Sequence, residues 1–309
     1  FVPGTLTVER FADYATIPAG TFIMGSPQST HEVLISAFEI QTTEVTNRQI
    51  ASVFNWALDQ QEVEVVQDLE GRSIALQMAS EDANSEKQLL MGIGQDTQGI
   101  AFSNGALAID DGFASRPARY LTWYGAMAYS HFLNQREGTS SAVNIQDWTI
   151  DPSQPGLRPP TEAEWEKAAR GGLVVRNFPW GDVITTDRAN YGYNYPFYDT
   201  SLGRYLYTSL VGSYPANGYG LHDMAGNVAE WVYDLFDPSF YSQPEAVADD
   251  PTGPSEPSFS SARVKRGGSY SGDPDRQTVF DRDYQFPARP ISEIGSYQDV
   301  GFRPARSLP

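Results

Sequence analysis

The chain has 309 residues and a net charge of −18, and 40% of its residues are hydrophobic against 19% charged. Nucleic acid is excluded as a partner, because phosphate binding needs clusters of lysine and arginine that this acidic chain lacks. The chain contains no cysteine, which excludes disulfides, thiolate nucleophiles and metal sites built on thiolates.

No run of the sequence approaches the roughly 20 apolar residues of a membrane-spanning helix, so we expect no membrane span. The sequence begins at Phe1 rather than Met. A cleaved secretory signal and a trimmed chain would both explain this beginning. We expect a periplasmic, cell-surface or extracellular protein.

The first predicted elements are two strands followed by a helix. Residues 21–27 and 31–40 alternate apolar and polar side chains, which is typical of half-buried strands. The segment Thr46-Asn47-Arg48-Gln49 has the form of a capping box. Apolar residues at helical spacing follow it, namely Ile50, Val53, Phe54, Ala57 and Leu58.

Residues 60–115 are predicted to be an irregular insertion or hairpin, with short strands at 62–66 and 100–109 and a polar stretch at 80–87 between them. A second helix is expected over residues 122–135. A third begins at the capping box that starts with Thr161 and ends at Gly171, since glycine suits a left-handed C-terminal cap. The prolines and acids of residues 244–258 indicate a loop.

Five segments carry a specific pattern. They are Phe22-Ile23-Met24-Gly25-Ser26 with Glu44-Val45-Thr46-Asn47; Arg158 to Gly172; Phe178-Pro179-Trp180-Gly181 with Ala189-Asn190; Gly218 to Trp231; and Arg263 to Tyr270 with Gly301-Phe302-Arg303. Together and in this order, they resemble the formylglycine-generating enzyme (sulfatase-modifying factor) family. The resemblance implies an α+β fold with much irregular structure, a variant of the C-type lectin fold. It covers one domain, residues 1–309, apart from the insertion at about 60–115 and the loop near 240–260.

The resemblance also implies a calcium site. Asp223 and Glu230 flank a glycine turn, and carboxylates combined with backbone carbonyls are ligands that calcium prefers. Carried over from the family, the ligands are the side chains of Asp223 and Glu230 and the carbonyls of Gly226 and Val228. The alternative is that the two acids cap or pair locally.

A second calcium site of the family matches the Asn190 side chain and the Tyr191 carbonyl. Its downstream aspartate has no unambiguous counterpart. Direct counting places Gly203 there with Tyr205 as the carbonyl donor, whereas Asp199 lies four residues earlier. The three histidines, His31, His131 and His222, lack metal-binding spacing and predict no transition-metal site.

In the active enzymes of this family, two cysteines after the Gly-Gly-Ser segment bind copper(I), a soft cation that prefers thiolates. Direct counting places Gly272 and Gln277 at these positions. Neither residue ligates copper(I) strongly. We therefore expect no copper and no formylglycine-generating activity.

Three functions are compatible with the sequence. The first is a binding or structural protein that recognises a protein or glycan ligand, on a surface between the Gly-Gly-Ser and Gly-Phe-Arg segments. Aromatic residues interleaved with charges suit such a surface, and an equally good interpretation places those aromatics in the core. The candidate residues are Tyr270, Asp273, Arg276, Phe280, Arg282, Tyr284 and Tyr297.

The second function is a cysteine-independent oxidase acting on a peptide-like substrate, as the resemblance to siderophore-maturation members implies. It needs an acid or base in the groove, for which Asp273, Asp281 and Glu230 are candidates. The third is an accessory component whose insertion at 60–115 contacts neighbouring subunits of an envelope or extracellular assembly.

Overall fold

The computed structural model describes residues 11–71, 73–79, 87–95, 98–194, 197–199, 204–257 and 260–308, with the backbone alone described for 197–199, 204 and 205. Within these ranges the chain forms few helices and many short strands in small sheets. None of the helices in these ranges is long and apolar enough to cross a membrane. The predicted α+β class with much irregular structure is confirmed.

The three predicted helices are present: α1 is Asn47–Asp59, α2 is Trp123–Glu137 and α3 is Glu162–Arg170. Thr46 and Thr161 form the predicted capping boxes with the residues three positions later, and Thr122 caps α2 through its hydroxyl. Gly138 and Gly171 end α2 and α3 in the left-handed conformation. Local sequence therefore defines both ends of these helices.

The N-terminal strands are β1 (Tyr14–Ile17), β2 (Gly20–Ser26), β3 (Ser29–Ile35) and β4 (Phe38–Gln41). The prediction of one strand over 31–40 is wrong, because the chain leaves the β2–β3 hairpin at Ser36 and starts β4 in another sheet. The backbone N–H and the hydroxyl of Ser36 both donate to the carboxylate of Asp250, at 2.6 and 2.7 Å. A hydrogen-bond partner more than 200 residues away thus determines where the strand is interrupted.

The insertion contains five strands: β5 (Val63–Gln67), β6 (Ile74–Met78), β7 (Leu89–Ile93), β8 (Ile100–Ser103) and β9 (Ala106–Ile109). The predicted strands at 62–66 and 100–109 are confirmed, the latter as the β8–β9 hairpin. Strands β6 and β7 were not predicted. Residues 80–86 of the polar stretch lie outside the described residues. Apolar side chains of the insertion join the core around α1 and α2.

The remaining strands are β10 (Val143–Asn144), β11 (Thr149–Ile150), β12 (Phe197–Asp199), β13 (Arg204–Leu206), β14 (Ala229–Leu235), β15 (Arg263–Arg266), β16 (Asp283–Gln285), β17 (Val300–Gly301) and β18 (Ala305–Ser307). A four-stranded sheet has the order β16-β15-β14-β17. Its last pair is parallel and its others antiparallel. A second sheet, β1-β4-β18, joins both ends of the described chain.

Two tryptophans of the motif segments, Trp165 and Trp231, are fully buried, and each has an acceptor for its indole N–H. Trp231 donates to the Leu121 carbonyl at 2.9 Å and Trp165 to the Glu230 carboxylate at 2.8 Å. Trp180 is only partly buried and packs on a small cluster with Ala189. The buried tryptophans thus connect the four-stranded sheet to its neighbouring helices through hydrogen bonds.

Candidate functional site

The Gly-Gly-Ser segment follows β15 and depends on its glycines. Gly267 and Gly268 have φ angles of +86° and +67°, a conformation that disfavours side chains. A Cβ on Gly268 would lie 2.4 Å from Oε1 of Gln277, and one on Gly267 would lie 3.1 Å from the Trp165 ring. The two glycines therefore let the loop approach Gln277 and Trp165 closely.

The two positions matched to the family's cysteines are neighbours in space. Gln277 is fully buried, and its amide nitrogen donates to the carbonyls of Ser269, Gly272 and Asp273 at 3.2, 3.0 and 3.2 Å. A Cβ on Gly272 would lie 2.7 Å from this same nitrogen. The carboxamide of Gln277 thus occupies the space beside Gly272.

A second loop lies across this segment. The Gly192 N–H donates to the Gly272 carbonyl at 2.9 Å, and the Tyr193 N–H donates to the Tyr270 carbonyl at 2.7 Å. The Tyr193 ring meets the Tyr270 ring edge to face at 5.8 Å, while Tyr207 stacks on Tyr270 at 5.5 Å. These contacts cover the Gly272 backbone with protein.

Tyr270 lies beneath this cover and is 3% exposed. The Arg119 guanidinium sits 5.6 Å from its ring centre and donates to its hydroxyl at 3.3 Å. Burial raises the pKa of the Tyr270 phenol well above its ordinary value. The phenol therefore stays neutral at physiological pH.

Beside Gly272, two serines share one carboxylate. The Ser269 and Ser271 hydroxyls lie 3.0 Å apart and donate to Oδ2 of Asp299 at 2.7 and 3.1 Å. Nδ1 of His131 contacts the Ser141 hydroxyl at 3.2 Å and Nδ1 of His222 contacts the Tyr214 carbonyl at 2.7 Å, and in the described part of the chain no histidine hydrogen-bonds to either serine. The serines therefore lack the imidazole base that activates a hydroxyl nucleophile. The sequence interpretation missed Asp299, which lies only two residues before the Gly-Phe-Arg segment.

Glu230, predicted to bind calcium, is 1% exposed and paired with Arg303. Its Oε1 accepts from Nη2 of Arg303 at 2.7 Å, and its Oε2 accepts from Nε of Arg303 and from Trp165 at 2.8 Å each. Both oxygens are therefore already used by protein donors. The Gly-Phe-Arg segment belongs to the family pattern, but the sequence alone assigns no role to its arginine.

Asp223, the other predicted acid, is 6% exposed and has the left-handed φ angle of +56°. Its Oδ2 accepts from the Gly212 N–H at 2.6 Å, whereas its Oδ1 is buried without a hydrogen-bond partner. Burial raises the pKa of Asp223 to about 6. Glu44, a further buried acid that sequence reasoning missed, has its pKa raised by burial and by the nearby charges of Asp223 and Glu230. Its carboxylate accepts from Val228 N–H at 3.1 Å.

Asn190, from the second predicted calcium site, lies next to the turn that belongs to the first. The Asn190 carbonyl accepts from the Asn227 N–H at 2.8 Å, and a Cβ on Gly226 would lie 2.2 Å from that carbonyl. Oδ1 of Asn190 is buried without a partner, and its Nδ2 donates to the Tyr207 carbonyl at 2.8 Å. The side chains of Asp199 and Tyr205 and all of Gly203 lie outside the described part of the chain.

These contacts fit a calcium ion only in part. Glu230 does not fit as a ligand while Arg303 holds both of its oxygens. Asp223 and Asn190 each keep one buried oxygen without a donor, as a hard cation requires. Among the described residues, no group of three or more acidic or histidine side chains is arranged to hold a metal.

Some residues of the predicted binding surface are buried, and others are exposed. Of the two interpretations left open for the aromatic residues, placement in the core holds for Tyr270 and Tyr297, which are 3% and 0% exposed. Arg282 is turned inward and binds the Glu162 carboxylate through Nε and Nη2 at 2.7 and 2.9 Å. Phe280 is half-buried, and exposed positions are held by Asp273, Arg276 and Tyr284.

Five cavities of about 270 to 590 Å³ lie in the described part of the protein, and none of the five is lined by Gly272 or Gln277. The arrangement as a whole is a lectin-like scaffold of the formylglycine-generating type. The profile of the sulfatase-modifying factor enzyme 1-like domain matches residues 2–308. The chain belongs to this family.

Curated relatives match parts of the chain. The formylglycine-generating enzyme of Streptomyces coelicolor is 38% identical over 170 residues, which are 54% of this chain and 46% of the enzyme. The serine/threonine-protein kinase pkn1 of Chlamydia pneumoniae is 37% identical over 167 residues, 54% of this chain and 21% of the kinase. The bovine formylglycine-generating enzyme is 29% identical over 275 residues, 82% of this chain and 64% of the enzyme. The chain thus spans less than two thirds of each of these three relatives.

Solved structures share the fold over nearly the whole chain. Treponema denticola variable protein 1 aligns with a TM-score of 0.63 at 23% identity, covering 96% of this chain and 95% of that one. CarF aligns at 0.62 and 18% identity, covering 96% and 99%. PvdO from Pseudomonas aeruginosa aligns at 0.60 and 22% identity, covering 96% and 94%. At these identities the likeness shows the fold alone.

Proposed function

We propose that this chain is a binding or assembly module that uses the family's scaffold without formylglycine-generating activity. The observation that carries the proposal is the Gln277 side chain, whose amide donates to the Gly272 carbonyl and fills the space beside it. A pair of thiolates suits copper(I), and the chain has no cysteine. An amide donor beside a glycine offers neither thiolate nor base.

The loop that crosses the Gly-Gly-Ser segment supports the same proposal. Hydrogen bonds from Gly192 and Tyr193 occupy the carbonyls that would otherwise line an entry to Gly272. Recognition then falls to the exposed positions nearby, Asp273, Arg276 and Tyr284. Exposed aromatic and charged side chains suit a protein or glycan ligand, or a neighbouring subunit.

Activity is tested with a cysteine-containing sulfatase peptide, oxygen and copper(I), followed by mass spectrometry of the peptide. We expect no aldehyde product from this protein and complete conversion by the Streptomyces coelicolor enzyme as the positive control. Formation of the aldehyde by the purified chain would refute the proposal.

Recognition is tested on a glycan array and, for assembly, by sedimentation velocity. We expect a signal in one of these measurements that the double variant Arg276→Glu/Tyr284→Ala abolishes. The matched control is Val247→Ala, at an exposed position elsewhere (53% exposed), which should leave the signal unchanged. Equal signals from both variants would exclude this surface.

Calcium at Asp223 and a second calcium ion at Asn190 are further proposals. The unpartnered buried oxygen of each residue supports its own site, because buried acceptors without donors are costly. When bound, calcium would supply positive charge and rigidity to the Asp223 loop. The oxidase alternative has no comparable support, since likeness to PvdO and CarF at these identities concerns the fold.

A further inference from the structure

A buried cluster of charges connects α3 with β15 and the chain beyond it. It contains the cations Lys167, Arg170, Arg266 and Arg282 and the acids Glu162 and Glu166. Glu166 is shared by Arg170 and Arg266, while Glu162 is shared by Arg266 and Arg282. The charge of Asp237 also acts on Arg282, and that of Asp281 on Arg266. Among the described residues, Lys167 is the one cation of the cluster without an ion pair.

Among the described residues, the other nearby acids form no ion pair with Lys167, although the charge of Asp250 acts on it. Asp234 accepts from the Glu162 N–H at 2.7 Å, and burial raises the pKa of Asp234 to about 8, so this carboxyl is mostly neutral at pH 7. Asp250 is exposed and accepts from Ser36, and Glu32 is exposed. Burying an uncompensated cation is costly, which favours an anion at this place.

The unpaired charge belongs to Lys167, which is 5% exposed; Arg170, three residues later in α3, is 4% exposed and paired with Glu166. Nζ of Lys167 donates to the carbonyls of Gly20 and Ile35 at 2.7 and 3.3 Å, which leaves one of its three N–H groups unused. Burial lowers the pKa of Lys167. Nη1 of Arg170 is buried without a hydrogen-bond partner. Lys167 therefore keeps an N–H group for a ligand, next to the positive charge of Arg170.

These two residues line a cavity of about 320 Å³ between β2 and the turn after α3. Its other walls include Phe22, Leu173 and Val174. Leu173 and Val174 are 38% and 66% exposed, which places apolar surface beside buried cations. Cations in the last turn of a helix also complement its dipole, but this effect explains neither the unused donors nor the apolar wall.

We propose that this cavity binds a monovalent carboxylate with an apolar body, the carboxylate at Lys167 and Arg170 and the body against Phe22, Leu173 and Val174. Ammonium and guanidinium groups form charge-assisted hydrogen bonds with a carboxylate. The exposed Glu32 at the same cavity repels ligands of higher negative charge. The cavity volume lies at the lower end of the range for small-molecule sites. This site is separate from the Gly272 region and goes beyond the proposed function.

Titration calorimetry with octanoate and with octanamide, its neutral analogue, tests the charge requirement. We expect octanoate to bind about tenfold more tightly or better, because only the acid forms charge-assisted bonds. Lys167→Met keeps the apolar stem and should weaken octanoate about tenfold. The control is Lys265→Met, which removes a lysine paired with Asp283 outside the cavity. Equal affinities for acid and amide, or no binding of either, would overturn the proposal.

A surface variant keeps the test decisive if Lys167→Met fails to fold. Val174→Asp puts a negative charge on the rim and should abolish octanoate binding, whereas Val183→Asp, at a comparably exposed position (70%) outside the cavity, should not. Identical behaviour of the two aspartate variants would contradict the site. The carboxylate could come from a peptide C-terminus or from a free acid, and N-acetyl-leucyl-leucine and its amide distinguish the two. Tighter binding of this acid than of octanoate assigns the site to peptide carboxyl termini. Weaker binding assigns it to free acids.

Discussion

Arg303 binds Glu230 through two nitrogens, at 2.7 and 2.8 Å, and both side chains are buried to 1% exposure or less. This pair joins the Gly-Phe-Arg segment to the beginning of strand β14. Arg303 also donates to the His222 carbonyl at 2.9 Å, so its guanidinium connects three separate parts of the chain. Such a paired carboxylate is a structural group of the interior.

Removing Arg303 should destabilise the fold strongly. Arg303→Met leaves Glu230 buried without its cation, which costs about 3–5 kcal/mol. The control, Arg306→Met, breaks the more exposed pair with Glu39 and should cost about 1 kcal/mol or less. Urea denaturation of the three proteins measures the difference, and equal midpoints for the two variants would contradict the assignment.

Calcium should stabilise the protein through Asp223. We expect the melting temperature to rise with calcium and to fall with a chelator, because a bound ion adds its binding free energy to the native state. Asp223→Asn should remove this dependence, and Asp249→Asn, at an exposed position, should retain it. A melting curve of the wild type that is the same with calcium and with chelator would exclude the ion.

Asp234 should make stability fall as the pH rises from about 4 to about 8. Burial raises the pKa of its carboxyl from 3.8 to about 8, so the folded state holds a proton that the unfolded state has lost. This contribution is fully present below about pH 4 and disappears as the pH rises through about 8. Asp234→Asn, which stays neutral, should therefore gain stability relative to the wild type between pH 6 and pH 9.

Melting temperatures of both proteins across that range measure the Asp234 effect. The exposed Asp249→Asn variant should follow the wild type. Parallel curves for Asp234→Asn and the wild type would show that Asp234 ionises normally in the folded protein.

Sequence predicted the elements whose signals are local. The hydroxyl of Thr161 and the glycine at position 171 define α3 by themselves, and the structure places both ends there. The break at Ser36 depends on Asp250, and no local pattern encodes a partner that far away. Strands β6 and β7 were missed because their apolar residues complete an interior shared with α1 and α2.

In the candidate site too, the sequence predicted what local patterns encode and missed what distant partners determine. Counting from the Gly-Gly-Ser segment placed Gly272 and Gln277 at the altered positions, and the structure finds them in contact. Glu230 was a reasonable calcium ligand by residue type, but its state is decided by an arginine 73 positions later. Tyr270 and Tyr297 could not be assigned to surface or interior, because aromatic residues occupy both.

The sheet β1-β4-β18 has a consequence for biosynthesis. Strand β4 pairs residue by residue with β1 on one side and with Ala305–Ser307 on the other. A nascent chain can form the first pairing early, but the second must wait until residue 307 has left the ribosome. Contacts between such distant segments also slow folding through the entropy of closing long loops. This domain therefore reaches its native state only after translation has passed residue 307, and the edge of β4 stays open to wrong partners until then.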